Sequence, residues 1–166
     1  MYFISHGGSA PPVGTLLPES TSTPGGGITW DRWVSTYSGA KLYDYAVSGA
    51  VCSNKMIYRY LASINGPFPD VLGYEVPVFI ADVHYINSST GKNTLYTDRE
   101  ANNTVYSMWI GTNDLGVGAL LTDDQIPGTN ITTFTECAFQ AFVLIYSTGA
   151  RYFVLMNTAV CYHHMM

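Results

Sequence analysis

Apolar residues recur with helical spacing in three stretches, residues 29–38, 69–86 and 133–148. The apolar positions of the first stretch, at i, i+3, i+4 and i+7, are Trp30, Trp33, Val34 and Tyr37. Each stretch predicts an amphipathic helix. Pro77 lies inside the second and should kink it or split it in two, because proline lacks the N–H that a helix interior needs.

The ends of these helices carry recognisable signals. Gly39 and Gly149 follow the first and third stretches, where a glycine commonly ends a helix. Thr133 and Glu136 have the spacing of a capping box and predict the start of the third helix.

Three shorter runs, residues 41–47, 104–110 and 151–157, are rich in β-branched and aromatic residues and predict strands. The last two are mostly apolar, which favours strands buried on both faces of a parallel sheet. Helices and strands alternate, with a polar loop over residues 87–103. This order predicts an α/β fold in a single domain.

The composition argues against two functional classes, nucleic-acid-binding proteins and membrane-spanning proteins. The 166 residues include only 11% charged residues, with 7 Lys+Arg against 12 Asp+Glu and a formal net charge of −5. A nucleic-acid-binding protein needs a basic surface, which this balance does not provide. No apolar run approaches the roughly 18 residues of a membrane span. We therefore expect neither nucleic acid nor a membrane among the partners.

Several features suggest an extracellular protein. Three Asn-x-Ser/Thr sequons, at Asn87, Asn102 and Asn130, lie in polar stretches where N-glycans could project. The three cysteines have no zinc-site spacing and allow one disulfide, for which Cys52–Cys137 is the favoured pair, or three buried thiols. The start of the chain lacks the basic and apolar regions of a signal peptide. We therefore expect a secreted parent protein whose leader is not part of this chain.

Candidate chemistry lies where two predicted strands end, since ligands of open α/β sheets bind at the carboxyl ends of strands. The first strand runs into Gly49, and the second runs into Gly111-Thr112-Asn113-Asp114. A backbone N–H at Gly49 and the side-chain amide of Asn113 could stabilise a developing oxyanion. The alternative is that Asn113 and Asp114 serve only as turn residues.

Four blocks in this order resemble the GDSL-type (SGNH) esterases, and most closely the fungal acetylesterases of carbohydrate esterase family sixteen. The blocks are Trp30 to Trp33, Lys41 to Asn54, Trp109 to Gly116 and Gly149 to Asn157. The resemblance implies a flavodoxin-like three-layer α/β/α fold with a parallel sheet. It also implies a serine nucleophile, an Asp-oriented His base, and Gly49 and Asn113 as oxyanion-hole donors. The implied substrates are acetylated carbohydrates or small esters, without a metal or organic cofactor.

The chain departs from that family at both ends. Neither the Gly-Asp-Ser block nor the Asp-x-x-His block occurs in the sequence. The resemblance therefore implies a single incomplete domain over residues 1–166, without its first, central strand and its C-terminal helix. We expect a gap or irregular pairing between 41–47 and 104–110, poor folding of the isolated chain, and no hydrolysis by it.

Other polar residues are weak substitutes for the absent groups. No motif supports Ser5, His6 or Ser9 as a nucleophile. Equally, no motif supports His163 or His164 as a base paired with Asp123 or Asp124. His84 is interpreted as a surface or partly buried structural residue. Trp30, Trp33 and Trp109 could stack on sugars, but their positions favour the core. The competing hypotheses are a non-catalytic glycan-binding remnant and the product of a pseudogene or mis-predicted gene.

Overall fold

The computed structural model describes residues 10–17, 23, 26–156 and 158. Within these ranges the regular elements are, in chain order, α1 Trp30–Ser38, β1 Tyr60–Leu61, β2 Gly66–Pro67, α2 Val76–His84, β3 Val105–Met108, α3 Ile131–Ser147 and β4 Tyr152–Leu155. A π-helical turn, Val71–Glu75, leads directly into α2, and short 3₁₀ turns cover Ala62–Ile64 and Leu120–Thr122.

The strands form two small sheets. β3 and β4 pair in parallel, with Val105 opposite Tyr152 and Met108 opposite Leu155, and α3 lies between them in the chain. β1 and β2 form a short antiparallel hairpin that the sequence pattern did not predict. The chain is thus mixed α/β with one parallel pair, which confirms the coarse fold class.

The second predicted helix is split, as Pro77 indicated. The N–H groups of Tyr74 and Glu75 both bond to the Asp70 carbonyl, which makes the π-helical turn. Pro77 then lies in the first turn of α2, where its missing N–H has no intrahelical acceptor to lose. Proline therefore sets the boundary between the two segments.

The cap predicted at the end of α1 is present, whereas the cap at the start of α3 differs from the predicted one. Gly39 ends α1 with φ +70° and an N–H that bonds to the Ser35 carbonyl, as expected. The capping box predicted at Thr133 and Glu136 is wrong: Asn130 is the N-cap, and its side chain accepts from the N–H groups of Thr132 and Thr133. The helix starts earlier because Asn130 offers a side-chain oxygen to two otherwise unpaired N–H groups.

The two helices α2 and α3 cover one face of the β3–β4 pair. The ring of Phe79 on α2 meets Tyr106 edge-on with centroids 5.7 Å apart, and Phe142 on α3 meets Phe153 at 5.2 Å. On the opposite face Val105 is 62% exposed and Val154 is 45% exposed. The prediction that these strands are buried on both faces is therefore wrong for the described residues, because no second helical layer covers this face along them.

The strand predicted over 41–47 is also wrong. These residues form no helix or strand, and no main-chain hydrogen bond joins residues 41–46 to another part of the described chain. A strand requires a neighbour with which to pair, and no strand of the described residues lies beside this segment.

The core centres on a disulfide between Cys52 and Cys137, which ties the segment after residue 50 to α3. The favoured cysteine pairing is thus confirmed, whereas Cys161 lies outside the described residues. Around the bridge pack the buried side chains of Val51, Met56 and Ile57. The disulfide therefore anchors the segment that follows residue 49, whereas the main chain of residues 41–46 pairs with no strand.

The three tryptophans do not belong to this core. Trp30 is 40% exposed, Trp33 is 45% exposed and Trp109 is 53% exposed, so their predicted burial is wrong. Trp30 contacts Trp109 edge-on, with ring centroids 6.3 Å apart. The aromatic face of α1 thus extends along the surface toward the end of β3.

Candidate functional site

A cavity of about 450 Å³ separates residues 41–50 from residues 104–113. It lies where the sequence predicted either a gap or irregular pairing, and the structure shows the gap. Gly49 and Asn113, the two candidate oxyanion residues, both line it. The structure therefore brings together two residues that lie 64 positions apart in the sequence.

Gly49 occupies a tight turn at one end of the cavity. Its φ of +96° is a conformation that other residues rarely adopt, and a Cβ here would lie 3.1 Å from the ring of Phe68. The Arg59 guanidinium donates to the Gly49 carbonyl. Among the described residues the Gly49 N–H has no acceptor. This N–H is thus available to a ligand.

Asn113 is held against the same turn. Its Nδ2 donates to the carbonyl of Ala50 at 2.9 Å, which leaves its second N–H for another acceptor. The side chain is fixed by a main-chain atom next to Gly49. The arrangement therefore presents two hydrogen-bond donors, one main-chain and one side-chain, at the same end of the cavity.

Asp114, the residue after Asn113, joins the same loop to the segment that follows Gly49. The side chain is fully buried, and its Oδ1 accepts from the Cys52 N–H at 2.8 Å, whereas Oδ2 has no hydrogen-bond partner among the described residues. Burial raises the pKa of its carboxyl from 3.8 to about 6. The sequence pattern indicated only a turn residue at Asp114. The signal for its role was a carboxylate in the loop that follows β3.

The turn before Asn113 is closely packed. At Gly111, where φ is +119°, a Cβ would lie 2.4 Å from Thr158 Oγ1 and 2.9 Å from the Phe134 ring. The Leu115 N–H bonds to the Gly111 carbonyl at 2.8 Å, which closes the loop around Asn113. A glycine is required at this position both by conformation and by space.

Two carboxylates, the partly buried Glu75 and the buried Asp82, fix the other wall of the cavity. Glu75 accepts from the Val47 N–H at 2.7 Å, and burial raises its pKa from 4.5 to about 7. Asp82 accepts from the Tyr45 hydroxyl at 2.9 Å and from the Gly14 N–H at 2.7 Å. Neither residue was predicted as part of a site from the sequence. Their role emerges only when α2 is packed beside this segment.

The remaining sequence candidates do not join this site. His84 is exposed at the end of α2, in agreement with its interpretation as a surface or partly buried residue, and Asp123 and Asp124 are exposed in a loop. The other candidates, Ser5, His6, Ser9, His163 and His164, lie outside the described residues. No histidine lines the cavity in the described part of the chain. The site as described thus holds donors for an oxyanion without a serine–histidine pair.

Within the described ranges, neither a metal centre nor a membrane-spanning helix is found. No group of three or more His, Cys, Asp or Glu side chains there is arranged to hold a metal ion. None of the helices in those ranges combines the length and the apolar character needed to cross a bilayer.

Comparison with known proteins places the chain near fungal acetylesterases. It is 41% identical over 156 residues to an acetylesterase of Hypocrea jecorina, a match that covers 94% of this chain and 42% of that protein. It is 29% identical over 150 residues to an acetylesterase of Thermothelomyces thermophilus, covering 88% of this chain and 44% of that protein. No protein-family model matches the chain.

Both relatives are named acetylesterases, and the similarity to them extends over most of this chain. The chain spans less than half the length of the curated relatives that it matches.

Proposed function

We propose that the chain is the oxyanion-binding part of a GDSL-type (SGNH) acetylesterase, of the kind grouped in carbohydrate esterase family sixteen. The observation that carries the proposal is that Gly49 and Asn113 line one end of the same cavity, joined through the Ala50 carbonyl. The parallel β3–β4 pair is compatible with the flavodoxin-like sheet of that family. The similarity to two fungal acetylesterases supports the activity.

In the proposed reaction, the carbonyl carbon of an acetyl ester is attacked by a serine oxygen, and its carbonyl oxygen becomes an oxyanion. The Gly49 N–H and the free N–H of Asn113 Nδ2 stabilise that negative charge. The intermediate collapses as the ester C–O bond breaks, and the alcohol leaves with the proton that the serine gave up to the histidine. Water then cleaves the acyl-enzyme, which releases acetate and restores the serine. The serine and its Asp-His partners belong to blocks that do not occur in these 166 residues. We therefore propose that the isolated chain does not hydrolyse esters.

The test is a chimera in which this chain replaces the matched region of the Hypocrea jecorina acetylesterase. The chimera should hydrolyse p-nitrophenyl acetate, whereas the isolated chain should not. A soluble, folded chimera without activity would contradict the proposed role of this segment. Activity of the isolated chain would contradict the proposed dependence on the absent blocks.

The proposed substrate is an acetylated carbohydrate or a small ester. Trp30 and Trp109 both line the cavity and are partly exposed, so an aromatic surface lies beside the proposed oxyanion site. Aromatic rings of this kind pack well against the apolar faces of sugar rings. The same surface supports the alternative of a non-catalytic glycan-binding remnant. Sugar binding by the isolated chain, together with an inactive chimera, would favour that alternative.

We also propose that the parent protein is secreted and carries N-glycans at Asn87, Asn102 and Asn130. Asn102 is exposed, and Asn87 and Asn130 are at least partly exposed. The Asn130 cap uses Oδ1, so Nδ2, the atom that carries a glycan, is not used by the cap. A disulfide is also typical of an oxidising compartment. Removal of glycans by an endoglycosidase should lower the mass of the protein secreted from a fungal host.

A further inference from the structure

The turn that holds Gly49 contains one free peptide group between two fixed positions. The Val47 N–H bonds to Glu75 at 2.7 Å, and the Val47 carbonyl accepts from the Ala50 N–H at 2.9 Å. The peptide that joins Ser48 to Gly49 lies between these bonds, and its N–H has no acceptor among the described residues. The direction of that N–H therefore depends on how firmly the next peptide, from Gly49 to Ala50, is held.

Arg59 holds this next peptide. Its guanidinium donates to the Gly49 carbonyl, while the Ala50 N–H at the other side of the same peptide bonds to Val47. The bond from Arg59 is charge-assisted and is therefore stronger than a bond between neutral groups. Together the two bonds restrict rotation about Gly49, which has no side chain of its own to restrict it.

The main chain of Arg59 is itself fixed, at the base of the β1–β2 hairpin. Its N–H bonds to Asn54 Oδ1 at 3.0 Å, and its carbonyl accepts from the Phe68 N–H at 2.7 Å. The Asn54 amide also donates to the Phe68 carbonyl at 2.6 Å. The hairpin that the sequence pattern did not predict thus places Arg59 and Phe68 side by side, next to Gly49.

The side chain of Arg59 lies over the Phe68 ring, with Cζ 5.2 Å from the ring centroid. The same ring would lie 3.1 Å from a Cβ at Gly49, so it also packs against the turn. A planar guanidinium that lies on an aromatic ring has lost much of its freedom, and its donors are oriented in advance. Arg59 does not line the cavity, so it acts on the site only through the turn.

We propose that Arg59 is a positioning residue, which orients the Gly49 N–H toward the cavity by holding the Gly49 carbonyl. Its effect on catalysis rests on the proposed use of that N–H as an oxyanion donor, whereas the orientation itself does not. A hydrogen bond weakens steeply when its donor is misaligned. Because the oxyanion forms only in the transition state, the loss of Arg59 should lower kcat and leave KM nearly unchanged.

The first test follows the Gly49 amide by NMR spectroscopy of the full 166-residue chain. Isotope labels on the serine carbonyl carbon and the glycine nitrogen select the Ser-Gly peptides, which occur only at Gly39 and Gly49. In Arg59→Ala the Gly49 signal should broaden or split, because the peptide then samples several orientations. Guanidinium, far below its denaturing concentration, should restore one sharp signal. The Gly39 signal, whose N–H bonds to Ser35, is the internal control and should not change.

Arg151→Ala is the matched control. Arg151 also lies over an aromatic ring, with Cζ 4.3 Å from the Tyr146 centroid, and donates to the Ala150 carbonyl at 2.6 Å, but it does not line the cavity. This variant should leave the Gly49 signal sharp. A sharp, single Gly49 signal in Arg59→Ala would overturn the proposal, and so would equal broadening in the two arginine variants.

The second test measures hydrolysis of p-nitrophenyl acetate by the chimera defined above. Arg59→Ala should lower kcat about 10- to 100-fold, a smaller loss than removal of a donor causes, and should change KM less than about twofold. Arg59→Lys should retain more activity, because an ammonium group can still donate to the carbonyl although it cannot lie flat on the ring. Added guanidinium should restore part of kcat in Arg59→Ala and none in Asn113→Ala.

The two tests fail separately from the proposed function. A folded chimera without activity would contradict the proposed function, and the Gly49 signal would still show whether Arg59 orients the N–H. If the isolated chain is not soluble, the kinetic test decides. Loss of kcat that neither guanidinium nor lysine relieves would show that Arg59 only stabilises the fold. A broadened Gly49 signal with unchanged kcat would overturn the catalytic part of the proposal.

Discussion

The Nδ2 of Asn113 donates to the Ala50 carbonyl at 2.9 Å and thereby joins the loop after β3 to the turn that holds Gly49. This bond fixes the amide that we propose as an oxyanion donor. In the active chimera, Asn113→Ala should lower kcat for p-nitrophenyl acetate by about 10²–10³, because one preorganised donor is lost. Steady-state kinetics would measure the change.

Two further variants separate chemistry from structure at this position. Asn113→Asp keeps the size of the side chain but removes its N–H donors, so it should lose nearly as much activity. Gln140→Ala, which removes an exposed amide on α3, is the matched control and should keep full activity. Retained activity in Asn113→Asp would show that the donor is not used.

Trp30 should contribute to carbohydrate binding. It lines the cavity, whereas Trp33, on the same helix and similarly exposed, does not. In the chimera, Trp30→Ala should raise KM for an acetylated oligosaccharide about 2- to 10-fold, which corresponds to an aromatic contact of about 0.5–1.5 kcal/mol. KM for p-nitrophenyl acetate should change less. Trp33→Ala is the control, and an equal effect there would contradict a specific role for Trp30.

Buried carboxylates should make the fold less stable as pH rises. The folded-state pKa is about 7 for Glu75 and about 6 for Asp114, both above their ordinary values. A group with a raised pKa contributes stability below its unfolded pKa and loses that contribution as pH rises through the folded pKa. The free energy of unfolding should therefore fall between about pH 4 and pH 7.

Isosteric amides test this dependence. Glu75→Gln should flatten the decrease mainly at its upper end, toward pH 7, and Asp114→Asn should flatten it mainly below pH 6. Glu136→Gln, at an exposed site on α3, serves as the matched control. Denaturant titrations at several pH values would measure the slope. Stability that rises over the same window would contradict the assignment.

The Cys52–Cys137 disulfide closes a separation of 85 residues. The chain-entropy relation gives about 4–5 kcal/mol for a loop of this length, a large part of the roughly 5–15 kcal/mol typical of a folded domain. Replacing both cysteines by alanine should lower stability by that order. Urea unfolding would measure it, and peptide mapping should still find the linked Cys52 and Cys137 peptides in a Cys161→Ser variant. Free Cys52 and Cys137 thiols in that variant would refute the pairing.

The sequence predicted those elements whose signals are local. The helix at Trp30 to Ser38 and its Gly39 end were found because apolar spacing and a glycine are read within one segment. The pairing of β3 with β4 also agreed with their apolar composition. The strand predicted at 41–47 failed because strand formation depends on a neighbour, and composition alone cannot show whether that neighbour is present.

The same distinction applies to the candidate site. Gly49 and Asn113 were identified from turn chemistry at strand ends and from the family resemblance, and the structure brings both to one cavity. Asp114 and Glu75 were missed as anchors because their acceptor roles depend on the N–H groups of Cys52 and Val47, which are distant in sequence. Burial of Trp109 was predicted wrongly because strand periodicity does not show whether a second layer covers the sheet.

Gly111 should tolerate substitution least among the glycines near the site. A methyl group there adds the cost of a left-handed conformation, about 1–2 kcal/mol, to a clash with Thr158 and Phe134, about 1–3 kcal/mol. Gly128 also has a positive φ, of +87°, but no atom lies within 4 Å of the position that its Cβ would take, so Gly128→Ala isolates the conformational cost. Gly111→Ala should therefore lower the free energy of unfolding by about 1–3 kcal/mol more than Gly128→Ala does. Urea titration of the two variants measures this difference directly, and equal losses would mean that the loop around Asn113 relaxes to admit the methyl group.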